Sequence, residues 1–447
     1  MVDDDLLGHA LASHRDGAYG EAEVLYLRLL DKDPGDVQAL YLLGLLWHQL
    51  ERHEDALTRL GRAMILVPAQ VEIQCHIGEV FRALGRLDEA EGAYRRAVAL
   101  VPTEAKAHYG LGLALKELAR LPESRMRLRA AVALDPAEPR FRMVLGRMEQ
   151  LFGNVTVGFA LCEARLEMPA YREQLRLLPA SPLWTGGPVD TLLLLAEGGL
   201  GDILQLSRYV PSLKTRCRRL LLACPSGLLH LMAQLPGWEP WDGETPDAIA
   251  PLLSVPWRFG HDQHAFPGDV PYFRADPERV AHWSAALARQ PGETLIGVAW
   301  KVGPETWIEG EAGRSFDPMH LAVIGRLPGV RLIVLQKGQP IPPELGAQDL
   351  GPEFDAGPDA FRDTAAVMEC LDLVITPDTS LGHLAGALAR PVWVAMKVVP
   401  ECRWMLGFEG SRWYPTIRLF RQSAPGDWAP VFAAMVDQIM PWLRNDQ

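Results

Sequence analysis

The sequence predicts an α-solenoid followed by an α/β module of two Rossmann-like halves, and three observations carry that prediction. Prolines and glycines recur every 34 residues through the first 140 positions. From Thr191 onward, short continuous apolar runs alternate with helical patterns, as parallel βαβ units require. The clearest unit is Leu371 to Pro391, LDLVITPDTSLGHLAGALARP, which reads as strand, tight loop, short helix and second strand.

The repeat comes first along the chain. Pro34, Pro68, Pro102 and Pro136 share a spacing of 34 with Gly44, Gly78, Gly112 and Gly146. Small residues keep step where paired helices approach closely: Ala22, Ala56, Ala90 and Ser124, then Ala63, Ala97 and Ala131. Large apolar residues fill the gaps, with Leu43, Ile77 and Leu111 on first helices and Tyr26, Leu60, Tyr94 and Leu128 on second ones. Thirty-four is the tetratricopeptide period, and the array is assigned residues 1–140, with Ala10 replacing the consensus glycine in the first unit. Phe141 to Met168 departs from the period and reads as a further helix pair, so 141–180 is assigned to capping helices and a linker. Such arrays present a concave face to polypeptides. Here that face is expected to include Tyr41, His48, Glu79, Arg82, Tyr109 and Lys116, which as single residues are equally read as solvated positions. Recruitment of a protein is the expected use; self-association, as a homodimer, is the competitor.

Size and composition bound the rest. A chain of 447 residues exceeds one core and implies two to four domains. A net charge of −12 argues against nucleic acid or an anionic membrane as a general partner. The local exception, Lys214 to Arg219, reads as a solvated helix end or a phosphate or lipid contact. Six scattered cysteines without a CxxC pair, an acidic amino terminus and no integral membrane segment point to the cytoplasm.

Residues 181–285 form the first Rossmann-like half, after a proline- and glycine-rich linker. Thr191 to Ala196 is a strand, followed by Glu197-Gly198-Gly199-Leu200-Gly201-Asp202 and a helix from Ile203 to Tyr209 stopped by Pro211. Gly199 and Gly201 let backbone pass close to a ligand, and Asp202 is an N-cap by position. His261-Asp262-Gln263-His264 invites a metal, but with no matching cluster elsewhere no metal site is assigned.

Residues 286–447 form the second half. Strands Leu295 to Trp300 and Arg331 to Gln336 precede the Leu371 unit, and Pro425 to Leu443 closes the fold with Trp428, Phe432, Met435 and Ile439 as core. Asp378, Thr379 and Ser380 are good N-cap types, so free backbone N–H groups point out of the strand's carboxyl end, a site suited to phosphate. Lys337 emerges on the same edge, where its ammonium reaches toward a diphosphate.

DTxxxHLAGAL at Asp378, then RPVW, Arg403-Trp404 and WYPTIRLFRQ at Trp413 to Gln422, together with GLGDxLQxxRY at Gly199, resemble bacterial glycosyltransferases that carry tetratricopeptide repeats. These are relatives of the lipopolysaccharide heptosyltransferases and, more distantly, of the O-GlcNAc transferases. The resemblance implies a GT-B type module, with 181–285 as the acceptor side and 286–447 as the nucleotide-sugar side, and a metal-independent, inverting transfer from a nucleotide sugar, with no permanently bound cofactor. It makes Asp202 the base and Lys337 the leaving-group cation. It also gives a nucleotide-sugar set of Gly199, Gly201, Lys301, Arg314, Gln336, Asp378, Thr379, Ser380, Leu381, Gly382 and His383. Two departures stand against it. Relatives carry AGNPxHxNDRxRS where this chain has Lys301 to Ser315, retaining only Arg314-Ser315, with Lys301 and Trp307 as compensating candidates. Relatives also carry PDWRW where this chain has Pro400-Glu401-Cys402-Arg403-Trp404. The alternatives are a repeat scaffold with an inactive transferase-like module, or a transferase for a lipid-linked or small glycan.

Overall fold

The computed structural model describes residues 2–260, 266, 269–303 and 313–445, so the 261–264 run and Trp307 lie outside the described residues. Two compact units divide at Leu145/Gly146.

Helices α1 (Val2–Arg15) and α2 (Tyr19–Lys32), α3 (Val37–Gln49) and α4 (His53–Leu66), α5 (Val71–Ala83) and α6 (Leu87–Leu100), α7 (Ala105–Glu117) and α8 (Leu121–Leu134) pair in turn, and α9 (Pro139–Leu151) and α10 (Val155–Cys162) continue the alternation. The first helices of successive pairs start at Val37, Val71, Ala105 and Pro139, 34 residues apart. The glycine period has a steric cause. A Cβ at Gly44 would meet Leu60 Cγ at 2.7 Å, one at Gly78 would meet Tyr94 Cζ at 2.7 Å, and one at Gly112 would meet Leu128 Cγ at 2.9 Å. Tyr26, Leu60, Tyr94 and Leu128 are fully buried in consequence, each worth about 1.5–3 kcal/mol of transfer free energy. Ala10 is buried as well.

The six residues expected on the concave face are half-buried rather than freely solvated. Four of them brace neighbouring helices, and Glu79 pairs within its own. Tyr41 Oη meets His76 Nδ1 at 2.9 Å and Arg82 donates to Glu117 at 2.8 Å, both at a separation of 35 residues, as does His14 to Gln49 at 2.8 Å. His48 and His53 meet at 3.0 Å, Glu79 lies 3.8 Å from His76, and Tyr109 stacks on Phe141 with centroids 4.5 Å apart. A side chain that long and polar serves the stack first, because each repeat needs its neighbour to be stable.

The second unit continues with α11 (Pro169–Arg176) and holds two parallel sheets. The first runs β3-β2-β1-β4, from β1 (Val189–Leu195), β2 (Cys217–Ala223), β3 (Glu239–Pro240) and β4 (Ala248–Pro251), with Leu192 opposite Leu220 and Ala248. Its helices are α12 (Leu200–Leu206), α13 (Val210–Leu213), α14 (Leu229–Met232) and α15 (Val255–Phe259). After α16 (Pro277–Leu287) the second sheet runs β6-β5-β7-β8-β9, from β5 (Thr294–Val298), β6 (Val330–Val334), β7 (Leu373–Pro377), β8 (Val392–Met396) and β9 (Ile417–Arg421). Helices α17 (Ala322–Gly325), α18 (Arg362–Cys370), α19 (Ser380–Ala387) and α20 (Ala429–Asn445) cover it. Trp428, Phe432, Met435 and Ile439 of the closing segment are buried against β5, β7 and β8 residues.

Two local expectations are corrected. Helix α12 begins at Leu200, not Ile203, because Gly199 is its N-cap and Asp202, at the third helical position, accepts the Gly199 N–H at 2.9 Å. Pro211 does not stop that helix but sits in the first turn of α13, where a missing N–H costs nothing. Helix α19 begins at Ser380, with Thr379, one of the expected N-cap residues, accepting the Leu381 N–H on Oγ1 at 3.3 Å.

Two of the four cations of the Lys214–Arg219 run are paired: Arg218 with Asp190 at 2.6 Å and Arg219 with Glu239 at 2.6 Å and Glu244 at 2.9 Å. Among the described residues no helix is long and apolar enough to cross a membrane.

Candidate functional site

Each sheet reverses its strand order once, between β1 and β4 in the first and between β5 and β7 in the second. Ligands of open α/β sheets bind outside the carboxyl ends at such points. In the second sheet three loops meet there. Gln336, beyond β6, accepts the N–H groups of Trp300 and Lys301, beyond β5, at 3.2 and 2.9 Å. Arg314 donates to the carbonyl of Asp378, beyond β7, at 3.4 Å. Lys301 is exposed and Arg314 half-buried. The structure thus brings Lys301, Arg314, Gln336 and Asp378 together.

Asp378 is 5% exposed and its Oδ2 has no hydrogen-bond partner among the described residues. Burial raises its pKa against the opposing pull of the Arg403 guanidinium. The Trp404 indole N–H lies near this carboxyl but likewise forms no hydrogen bond. The edge thus carries a desolvated carboxyl with a spare oxygen.

The start of α12 abuts the start of α19. A Cβ at Gly201 would lie 2.9 Å from His383 Cδ2 and 3.6 Å from Ser380 Cα, so only glycine permits the approach. Gly198, with φ +86, allows the preceding turn, and a Cβ there would meet Asp202 Oδ2 at 2.8 Å. Asp202, from the first sheet, therefore stands beside the Asp378 turn of the second. Its two oxygens are both engaged: Oδ2 by the Gly199 N–H and Oδ1 by Arg403 Nη2 at 2.7 Å.

Arg403 is the centre of this junction. It also donates from Nε to Glu401 at 2.7 Å, and from Nη1 to Gln205 Oε1 at 3.1 Å and His383 Nε2 at 3.2 Å. Glu401 is held in turn by Arg147 at 2.9 Å and by the Arg403 N–H at 2.9 Å. Burial alone would raise the Glu401 pKa, but Arg403 and Arg147 hold it well below the usual carboxylate range.

The tautomer of His383 follows from its neighbours. A guanidinium only donates, so Nε2 is the acceptor and Nδ1 carries the proton. Nδ1 then donates to Tyr414 Oη at 3.2 Å, Tyr414 to Tyr272 Oη at 3.3 Å, and Tyr272 to the Leu204 carbonyl at 2.9 Å. Burial and Arg403 push the His383 pKa well below its usual value, consistent with a neutral ring. His383 is 2% exposed and its ring stacks on Trp404 at 5.2 Å. The expected ligand contact at His383 is therefore corrected: both nitrogens already have protein partners. Gly382 is likewise turned to the sheet, with Thr376 and Val394 3.6 Å from where a Cβ would be. Leu381 and Ser380 are half-buried at the open end.

Lys337 is exposed and its Nζ donates to the Asp355 carbonyl. β6 lies two strands from β7, about 10 Å across the sheet, so a contact with ligand at Ser380 requires Lys337 to leave Asp355. The switch point of the first sheet is occupied by the chain itself: Glu197 accepts from Arg165 at 2.6 Å, from the Leu253 N–H at 3.0 Å and from Tyr171. Sequence reasoning did not find this cluster, nor the buried Arg208, whose guanidinium lies over Tyr272 and Tyr414 at 5.1 and 5.3 Å. Arg165, Glu197 and Tyr171 sit in ordinary sequence, and only the strand-end position of Glu197 hinted at a role. Among the described residues no group of three or more His, Cys, Asp or Glu is placed to hold a metal ion.

Comparison with known proteins bears mainly on the amino-terminal unit. The family described as tetratricopeptide repeat matches residues 6–70, and that described as TPR repeat matches residues 78–118. The amino-terminal unit is a tetratricopeptide α-solenoid, a scaffold for protein interaction. Protein FlbA of Caulobacter vibrioides is 26% identical over 272 residues, 58% of this chain and 42% of FlbA. The chain thus spans less than half the length of that curated relative. Among solved structures, a thermophilic TPR protein of Thermus thermophilus is 23% identical over 39% of this chain and 95% of its own, with a TM-score of 0.35. PilW, a type IV pilus biogenesis factor, is 18% identical over 48% of this chain and 87% of its own, with a TM-score of 0.36.

Proposed function

We propose that the α/β unit is a GT-B type, metal-independent, inverting glycosyltransferase that moves a sugar from a nucleotide sugar to a protein brought by the repeats. The reading is supported above all by the junction of α12 and α19, which sets the Asp202 carboxylate of one parallel sheet beside the Thr379-Ser380 helix start of the other. In the reaction the acceptor nucleophile attacks the anomeric carbon as the carbon–oxygen bond to the diphosphate breaks. Asp202 takes the acceptor proton, and the electron pair leaves on the diphosphate. The Arg403 guanidinium and the Gly199 N–H fix the direction of the Asp202 carboxylate. The α19 amides and Lys337, once released from Asp355, stabilise the departing charge, a role whose loss typically costs about 10²–10³-fold in rate. Arg314 and Gln336 shape the donor side by holding the Asp378 and Lys301 backbones.

A second reading, a scaffold whose transferase-like unit is inactive, draws on the fact that both Asp202 oxygens and Lys337 Nζ are already taken. A thermal-shift screen with UDP, GDP, ADP and CMP sugars separates the two. A ligand at 100 times its Kd stabilises by about 2.7 kcal/mol. The transferase reading expects one nucleotide class to shift the melting of the α/β unit; no shift with any of the four leaves the scaffold.

A further inference from the structure

A second cleft, of about 570 Å³, lies where α14 of the first sheet, the 271–277 segment and the start of α18 come together. That is the size of a small-molecule site, and it shares no residue with the donor cradle described above. Its chemistry is unusually specific for a surface depression.

His230 lines it. Its Nδ1 contacts the Gly227 carbonyl at 3.1 Å, and since a carbonyl only accepts, Nδ1 carries the proton. Nε2 is then a lone-pair acceptor, and it has no partner among the described residues. Burial lowers the His230 pKa, favouring this neutral form. Arg362 is paired with two carboxylates, Asp276 at 2.7 Å and Asp359 at 3.4 Å. Arg274 differs: among the described residues its guanidinium has no ion pair or hydrogen bond, while its backbone is fixed by reciprocal bonds with Gln234 at 2.7 and 2.9 Å. His230 Nε2 is covered by protein and is not presented to a ligand. The cleft therefore offers one uncommitted cation and two carboxylates with spare lone pairs, beside the half-buried ring of Tyr272.

We propose that this cleft binds a polyhydroxy monocarboxylate. The carboxylate takes Arg274. Hydroxyl groups donate to Asp359 and Asp276, and the carbon skeleton lies against Tyr272. A phosphate monoester fits less well, because its charge of about −1.5 to −2 would face both aspartates. A plain carboxylate lacks the donors that the aspartates call for, and a neutral polyol lacks the charge.

Isothermal titration of the full chain with gluconate, acetate and sorbitol tests each part. Gluconate should bind saturably, with acetate and sorbitol weaker by about tenfold or more. Arg274→Gln, at an exposed position, should weaken gluconate about ten- to hundredfold, the size of one charge-assisted hydrogen bond, and leave sorbitol unchanged. Lys337→Ala should leave gluconate binding intact. Gluconate binding that survives Arg274→Gln, that equals acetate binding, or that disappears with Lys337→Ala overturns the proposal, as does no binding up to roughly 10 mM. None of these outcomes depends on whether the α/β unit transfers sugar.

Discussion

Removing the Glu401 carboxylate should destabilise the α/β unit more than any other single change at the candidate site. Glu401 has a side chain 7% exposed and is shared by Arg403, 18% exposed, and Arg147, 19% exposed. Breaking a buried pair by deleting one partner typically costs about 3–5 kcal/mol, because the other charge is left in low dielectric. Arg403 keeps Asp202 as a second counter-ion, which places Glu401→Ala toward the lower end, about 3 kcal/mol. For a unit of roughly 300 residues the unfolding entropy is about 0.6 kcal/mol/K, so the transition should fall by about 5 °C. Calorimetry of the second transition, with the repeat transition as an internal control, measures this directly. The effect has a pH signature. The folded pKa of Glu401 lies below the unfolded value of about 4.3. Its stabilisation is therefore complete above that value and is lost as pH falls through the folded pKa. The gap between wild type and Glu401→Gln should accordingly be constant from pH 6 upward and close on acidification. A shift below about 1 °C, or a gap that does not close in acid, would refute the account of Arg403 as a charge held by Glu401.

Asp378→Asn should act in the opposite sense. Its folded pKa is raised, so its stabilising contribution exists below the unfolded value and is lost as pH rises through the folded one. At pH 7 the variant should melt at or above wild type while the shift produced by a nucleotide sugar falls. A variant that melts lower at pH 7 contradicts the burial argument. In the repeats, Gly110→Ala places a Cβ 2.1 Å from Tyr94 Cε1 and should cost about 1–3 kcal/mol by overpacking. Adding Tyr94→Leu, the residue type found at positions 60 and 128, should recover part of the loss in urea melts; no recovery would mean the strain lies elsewhere.

The repeat array was legible in the sequence because each of its contacts is local and recurs. Gly78 and Tyr94 meet within one repeat, and the same steric reason repeats with Gly44 and Leu60. Strands were legible too, since a parallel strand buried on both faces is a continuous apolar run such as Leu192–Leu195. Helices α12 and α19 start earlier than apolar periodicity indicates, because capping by Gly199 and Thr379 recruits residues that carry none of it. The Arg403 junction was least legible. Its partners lie 201 residues away at Asp202 and 198 at Gln205, and Arg147 lies 254 residues from Glu401. No window of sequence contains such a network. His383 illustrates the result: a motif position suggests a ligand contact, whereas Arg403 on one nitrogen and Tyr414 on the other make it a neutral strut.

The same junction bears on Pro400–Trp404, where the sequence departs from the PDWRW that the proposed transferase function would lead one to expect. A glutamate in place of the usual aspartate has one more methylene, and here its two oxygens serve different arginines, Oε1 facing Arg147 and Oε2 facing Arg403. Cys402, where tryptophan is usual, donates its thiol to Gln150 at 3.4 Å, and Gln150 in turn donates to Cys162 at 3.5 Å. Nearby, Gly146 and Gly158 press together so closely that a Cβ on either would come within 2.8 Å of the other's backbone carbonyl. A tryptophan at 402 would require volume that this packing has already removed. The changes at 401 and 402 are thus matched by Arg147, Gln150 and Gly158, residues of the segment leading into the α/β unit. Arg403 is thereby backed through Glu401 by this segment while it holds Asp202 at 2.7 Å and His383 at 3.2 Å, so the support behind the Asp202 carboxylate is built from residues on both sides of the α/β unit's sequence.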